Sequence, residues 1–308
     1  MYNLHKIIET IRQMDGKLIV QDNAITSARY EMNALEKNII YMMMAQLRKD
    51  DQADTIYYIS VRELMDKTGT RNSYDDFKRA TEQLVGRVLQ IHRPNGNLLQ
   101  VAMISSAEYV VGQGIIEIGL DPKIRPFFFD LKQNFTAFQL HMALSLDSKY
   151  AKRVYEMLAQ YRNLGELKID VIELKRRLYL YDDKTGTEQY KNWADFERRI
   201  LTVAQKEIND KTDLRVTYTP VKMGRRVASL HFIIKAGPQQ MVIDYKDENT
   251  ALFSRLVNDF RLRKEQAQMV IDRFSAADIQ KRLYDIQILR SDNKIQNIGG
   301  YTAKSFGV

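Results

Sequence analysis

Tyr190–Asp210 reads YKNWADFERRILTVAQKEIND, and the rest of the chain is organised around it. At about 100° per residue, Phe196, Ile200, Val203, Ala204 and Ile208 fall on one side as a buried stripe. Lys191, Asp195, Arg198, Thr202, Gln205, Lys206 and Asn209 fall on the other. The stretch is therefore predicted to be one amphipathic helix. Its outer side carries residue types that read nucleic acid: Arg forks onto a guanine edge, Thr, Gln and Asn hydrogen-bond bases or phosphates, and Lys neutralises phosphate. Any solvated helix also shows a polar face, so the helix alone leaves both readings open.

The segment that follows favours the first. Leu214–Tyr218 (LRVTY) and Val227–Ile234 (VASLHFII) alternate like half-buried strands. Between them Thr219–Arg226 (TPVKMGRR) is predicted to be a turn carrying Lys222, Arg225 and Arg226. A helix followed by a hairpin with a basic tip is the winged-helix arrangement. In it the helix enters the major groove and the wing reaches the adjacent backbone or minor groove.

The pattern occurs twice. Upstream, Ser73–Val88 (SYDDFKRATEQLVGRV) places Phe77, Thr81, Leu84, Val85 and Val88 inward and Asp76, Arg79, Gln83, Arg87 and Gln90 outward. Asn95-Gly96 signals a hairpin, and Leu98–Ile104, Glu108–Val111 and Ile115–Leu120 read as strands. Ile59–Leu64 (ISVREL) matches Ile169–Leu174 (IDVIEL) 110 positions later, and Asp76-Phe77 matches Asp195-Phe196 119 positions later. Tyr41 with Met44 matches Tyr155 with Leu158 at an offset of 114. Loop insertions, chiefly Tyr179–Glu188, account for the changing offset. The plan repeated is long helix, strand, short helix, outward-basic helix, hairpin.

The expected fold is α+β: an N-terminal arm (1–25), a first winged-helix domain (26–132), a second (133–236), and a helical C-terminal appendage (237–308). In the first domain a long helix capped by Thr26 or Ser27 is expected to run to about Arg48, with Met42-Met43-Met44 as soft core packing. In the appendage, Asn249–Asp272 and Ala276–Leu289 read as two helices before a polar tail ending GGYTAKSFGV.

Composition bounds the function. The 308 residues carry a formal net charge of +8, which favours a polyanionic partner. The absence of cysteine excludes disulfides, zinc ribbons and thiol chemistry. No apolar run approaches a membrane span and the start has no signal-peptide core, so a cytoplasmic protein without a membrane partner is expected. The four histidines, His5, His92, His141 and His231, are scattered, which argues against a metal-dependent nickase, and Gly16-Lys17 lacks a P-loop around it. Asp182-Asp183 suits a divalent ion or, more simply, a solvated loop. Trp193 suits packing under the helix start or contact with sugar-phosphate. The expectation is a non-enzyme with no cofactor and no metal.

From about Ala28 to Lys235 the chain resembles the Rep initiators of iteron-controlled bacterial plasmids. The pieces that carry the likeness are Asn134-Phe135-Thr136, Ser145–Glu156 (SLDSKYAKRVYE), Val171–Leu178, Trp193–Phe196 (WADF) and Lys222–Arg225 (KMGR), in that order. The resemblance implies a protein that binds direct repeats at a replication origin and opens or marks it for a host initiator and replicative helicase. It further implies a homodimer in equilibrium with monomer, the dimer repressing the initiator's own gene. Arg198, Thr202 and Lys206 would read bases and backbone in the second domain, and Lys149, Lys152 and Arg153 would contact phosphates. A tandem winged-helix transcriptional regulator without initiation activity is the alternative. A structural or partition adaptor acting through the C-terminal helices is a third class.

Overall fold

Ser60 closes one strand and opens the next helix, its hydroxyl accepting the Glu63 N–H at 3.3 Å, and Asp170 stands at the same junction in the second half. From these two junctions the chain builds one unit twice. The computed structural model describes residues 17–237 except 94, 130 and 132–134. Nearer the C-terminus it describes 253, 256–257, 260–274, 279, 282–283, 286, 295 and 297–308. The expected arm up to residue 16, Asn134, and most of the expected helix Ala276–Leu289 lie outside the described residues.

The first half runs β1 (Leu18–Asp22), α1 (Asn23–Ser27), α2 (Ala34–Met44), β2 (Ile56–Ser60), α3 (Val61–Thr68), α4 (Tyr74–Gly86), β3 (Val88–His92), β4 (Leu98–Ala102), β5 (Ile104–Val110) and β6 (Ile115–Leu120). The second runs β7 (Phe135–Gln139), α5 (Leu140–Ser145), α6 (Lys149–Gln160), β8 (Glu166–Asp170), α7 (Val171–Arg177), α8 (193–211), β9 (Leu214–Met223) and β10 (Arg226–Ala236). Their antiparallel sheets have the orders β2-β6-β5 and β8-β10-β9. In each, the strand before the helix pair joins the last strand of the hairpin after it. That is winged-helix topology, and its duplication confirms the repeat read from the sequence. The first copy inserts the hairpin β3–β4 between its second helix and its wing.

The long helix expected from Thr26 to Arg48 is instead two helices. Asn33 stops the chain between them and caps α2 reciprocally with Glu36: the Asn33 side chain accepts the Glu36 N–H at 2.9 Å, and the Glu36 carboxylate accepts the Asn33 N–H at 3.2 Å. The break lets Arg29 pair its backbone with Gln90 of β3. Met42, Met43 and Met44 are core residues, as expected. Val85 and Val88, expected inward, are exposed; Ala80 and Leu89 take the buried places beside Phe77 and Leu84.

β1, within the expected arm, pairs antiparallel with β7 from Leu18↔Gln139 to Asp22↔Phe135. Met1–Met241 form one compact unit and Val242–Val308 another. The second unit has its own core of Leu256, Phe260, Leu262, Ala267, Val270, Ile279, Leu283, Ile286 and Phe306. Its expected helix Asn249–Asp272 is interrupted at 260–263, where Arg261 takes φ 58, and resumes as α9 (Lys264–Arg273). The expected polar tail is α10 (Ile298–Phe306), capped by Asn297 and anchored by buried Thr302 and Phe306.

Candidate nucleic-acid interface

α8 starts at Trp193 behind the cap Asn192, whose side chain accepts the Ala194 N–H at 2.8 Å. It then departs from a regular α-helix: Glu197–Leu201 is a π turn, closed by the Thr202 N–H donating to the Glu197 carbonyl. One extra residue in a turn sets the following residues back by about 100°, so each takes the direction its predecessor would have had. Leu201 therefore enters the core at 1 % exposure, and Val203, expected in the core, faces solvent at 38 %.

The same rotation corrects two expected DNA-facing residues. Gln205 and Asn209 turn toward β9, where their side-chain amides donate to the Val216 carbonyl at 3.0 Å each. The Asn209 side-chain oxygen, Oδ1, also accepts the Val216 N–H at 2.6 Å. These residues staple the helix to the wing instead of facing outward. What remains outside is Arg198, Arg199, Thr202, Val203 and Lys206. Arg198 pairs with Asp195 at 3.0 Å and Arg199 with the same carboxylate at 3.9 Å. Both arginines are well exposed, and such surface pairs are worth roughly 0–1 kcal/mol, so either guanidinium is readily exchanged onto an incoming anion. Arg199 was missed because a regular wheel leaves it on the flank.

The wing is longer and tighter than the expected Thr219–Arg226 turn. β9 and β10 pair up to Met223↔Arg226, leaving only Gly224-Arg225 as the loop, with Gly224 at φ 64. A two-residue hairpin with a left-handed first residue needs glycine there. Lys222, Arg225 and Arg226 line one open groove of about 990 Å³ together with Lys191 and Trp193 of the helix start. Among the described residues Lys191, Lys206, Lys222, Arg225 and Arg226 have no ion-pair partner. Trp193 packs edge-on against Phe196, ring centroids 6.0 Å apart, while one side of it lines this groove.

Buried groups hold the helix start in place. The Lys175 ammonium, nearly inaccessible, meets Glu188 at 2.5 Å, donates to the Tyr190 carbonyl at 2.7 Å and lies over the Phe196 ring. Tyr190 itself takes φ 52, a conformation unfavourable for a tyrosine, where the chain turns into Lys191. The preceding loop is tied down by Arg29, which stacks on Tyr179 at 4.2 Å and pairs with Asp182 at 3.1 Å. Asp182 also accepts the Lys184 and Thr185 N–H groups, and Asp183 binds Arg176 at 2.7 Å. Both carboxylates are thus engaged in structuring the loop, and no acidic or histidine cluster suited to a metal occurs among the described residues. His231 pairs with Glu166 across the sheet at 2.6 Å.

In the first copy, Arg79 and Gln83 project from α4, with Arg79 paired to Asp76 at 2.5 Å. Arg87 is committed elsewhere: its guanidinium donates two bonds of 3.1 Å to the fully buried Glu36 carboxylate, which holds the arginine charged, and a third to Gln83. Its wing tip, Val111-Gly112-Gln113-Gly114, carries no cation, and Val111 is 94 % exposed.

On α6 the three expected phosphate contacts separate. Lys149 stays at the surface, paired with Glu31 at 3.1 Å. Lys152 is fully buried and donates to the Ala143 carbonyl at 2.7 Å; burial, then the nearby Lys37 charge, lowers its pKa to about 7. Arg153 is buried too, donating to the Thr26 and Ala28 carbonyls and to Glu156 at 2.6 Å. A phosphate cannot reach either side chain. Arg153 belongs to a buried network in which Glu156 also meets Lys37 at 2.5 Å and the Tyr41 hydroxyl at 2.9 Å, and the Lys152 ammonium lies beside it over the Tyr41 ring. Burial raises the Glu156 pKa, but the Lys37 and Arg153 charges outweigh it and hold the carboxyl below its ordinary range. The network joins α2 of the first copy to α6 of the second.

The fold and this surface define a tandem winged-helix protein whose cationic helix and wing lie on the second copy. Two family models match the chain in the same order: Initiator Replication protein, WH1, over residues 18–159, and Initiator Rep protein, WH2, over residues 170–234. The chain belongs to the Rep replication initiator family. A relative from Escherichia coli described as an uncharacterized 27.6 kDa protein is 24 % identical over 227 residues, 69 % of this chain and 93 % of its own length. The PI protein of Escherichia coli is 28 % identical over 162 residues, 49 % of this chain and 53 % of its own length. A replication initiation protein of the same organism is 20 % identical over 248 residues, 77 % and 75 %. Among solved structures, the Pi initiator protein in complex with iteron DNA aligns with a TM-score of 0.62 at 22 % identity, covering 72 % of this chain and 98 % of that one. Both family models end before the unit Val242–Val308.

Proposed function

We propose that this chain initiates plasmid replication by binding direct repeats, iterons, at an origin as a monomer that presents both winged helices to one face of the duplex. The observation that carries the reading is the convergence of α8 and the wing. Arg198, Thr202 and Lys206 suit base edges and backbone in a major groove, and Lys191, Lys222, Arg225 and Arg226 suit the phosphates along its edge. Arg79 and Gln83 of α4, with Lys149 at its Glu31 pair, are the secondary contacts. Gln205, Arg87, Lys152 and Arg153 act within the fold. A wing without cations makes the first copy the weaker binder.

Two groove-facing helices in one compact unit reach successive major grooves, about 10.5 base pairs apart. In this reading the chain acts in the cytoplasm without catalysing a reaction. It marks or opens the origin for a host initiator and replicative helicase, and as a dimer represses its own gene. No helix among the described residues is long and apolar enough to cross a membrane.

The test is a footprint on DNA flanking the chain's own gene, with Arg198→Ala alongside. Regularly spaced direct repeats, each protected over about two turns and lost in the variant, support initiation. Protection of one inverted site alone supports the regulator reading.

A further inference from the structure

Val203 is a β-branched apolar residue turned outward in the middle of the face assigned to base edges. The π turn puts it there: set back by one position, Val203 takes the outward direction that regular spacing gives Thr202 and stands 38 % exposed, while Ala204 fills the core position otherwise reserved for Val203. Its neighbours four positions before and three after, Arg199 and Lys206, are both exposed cations on the same helix face. Valine there is no part of the hydrophobic core, and it is a poorer helix former than alanine. In a major groove, however, one base edge is apolar, the 5-methyl group of thymine. Resting on the reading of α8 as the groove helix, we propose that Val203 packs on a thymine 5-methyl and fixes that base within the repeat, while the flanking cations hold the helix at that depth. The π turn is then a specificity device, because a regular helix with the same sequence would bury Val203 and present Thr202 in its direction instead.

Replacing single thymines by uracil tests this directly, since uracil lacks the methyl group and keeps the hydrogen-bonding edge. The full-length protein first selects its duplex from a random-sequence pool. Wild type, Val203→Ala and Arg198→Ala are then titrated against that duplex and against versions with each thymine changed to uracil. Wild type is expected to lose roughly fourfold in affinity at one or two positions, the worth of about one methyl group withdrawn from water. Val203→Ala should bind the thymine and uracil duplexes equally there. Indifference of wild type to every replacement, or full retention of the sensitivity by Val203→Ala, overturns the proposal. If Arg198→Ala also leaves specific binding unchanged, the groove-helix reading itself has failed; if Arg198→Ala binds weakly, only the role of Val203 has. Matching thermal melts of the two proteins confirm that the variant keeps the fold.

Discussion

Glu156 is the single residue whose neutralisation should most disturb the union of the two winged helices. It is fully buried, with Lys37 at 2.5 Å, Arg153 at 2.6 Å and the Tyr41 hydroxyl at 2.9 Å. Glu156→Gln keeps the volume but leaves two buried cations without their counter-charge. Breaking a buried pair in this way costs about 3–5 kcal/mol. With a urea dependence of about 3 kcal/mol per molar, the midpoint should fall by roughly 1–1.7 M. The difference should also depend on pH. Because the folded carboxyl titrates below its unfolded value of about 4.3, its contribution is complete above that value and disappears as pH falls through the folded pKa. Wild-type and variant midpoints should therefore converge in acid. Replacing the whole triad, Lys37→Met with Arg153→Met and Glu156→Leu, should cost less than the single change, since the desolvation penalty goes with the charges. A Glu156→Gln loss below about 1 kcal/mol, or a gap that is unchanged in acid, would refute the reasoning.

Arg198→Ala should weaken binding to the specific repeat by about 1–3 kcal/mol while barely changing affinity for random DNA, as read by competition titration; equal losses on both would remove its base-reading role. Arg225→Ala with Arg226→Ala should reduce the slope of log affinity against log salt by up to about two units, and an unchanged slope would take the wing off the backbone. Burial and the Lys37 charge lower Lys152 to about 7, so between that pH and about 10.4 the unfolded chain holds more protons and stability rises with pH. Lys152→Met should flatten that rise in urea midpoints measured at pH 7 and 9.

The topology was legible because each copy carries its own local signals. The ISVREL/IDVIEL repeat, the apolar period of the stretch before each hairpin and Met-Gly among basic residues mark a strand-to-helix junction, a groove helix and a hairpin tip without reference to distant residues. The face of α8 was only half legible. Up to Phe196 the 3.6-residue period holds, but nothing local in ERRIL announces the extra residue in the turn. What fixes the bulge is tertiary: Leu201 and Ile200 both reach the core, and Asn209 and Gln205 meet the backbone of Val216. Read as a regular helix, the sequence buries Val203 and exposes Gln205, and both errors have this one cause.

The cations of α6 fail for a different reason. Lys149, Lys152 and Arg153 are alike in composition, and a basic run on a helix of a basic chain reads as one phosphate-binding strip. What separates them is a carboxylate three residues along and a lysine from 119 positions upstream: Glu156 draws Arg153 inward, and Lys37 closes the pair. The net charge of +8 therefore overstates the charge available to DNA on α6 and understates the contrast between the copies. With Arg87 held by Glu36 and no cation on the first wing, the electrostatic pull falls on the second copy. The shared network holds the first copy in a fixed relation to it. Binding through this surface would thus begin at α8 and its wing, and the buried triad would convert that one strong contact into a defined position for α4 one groove away.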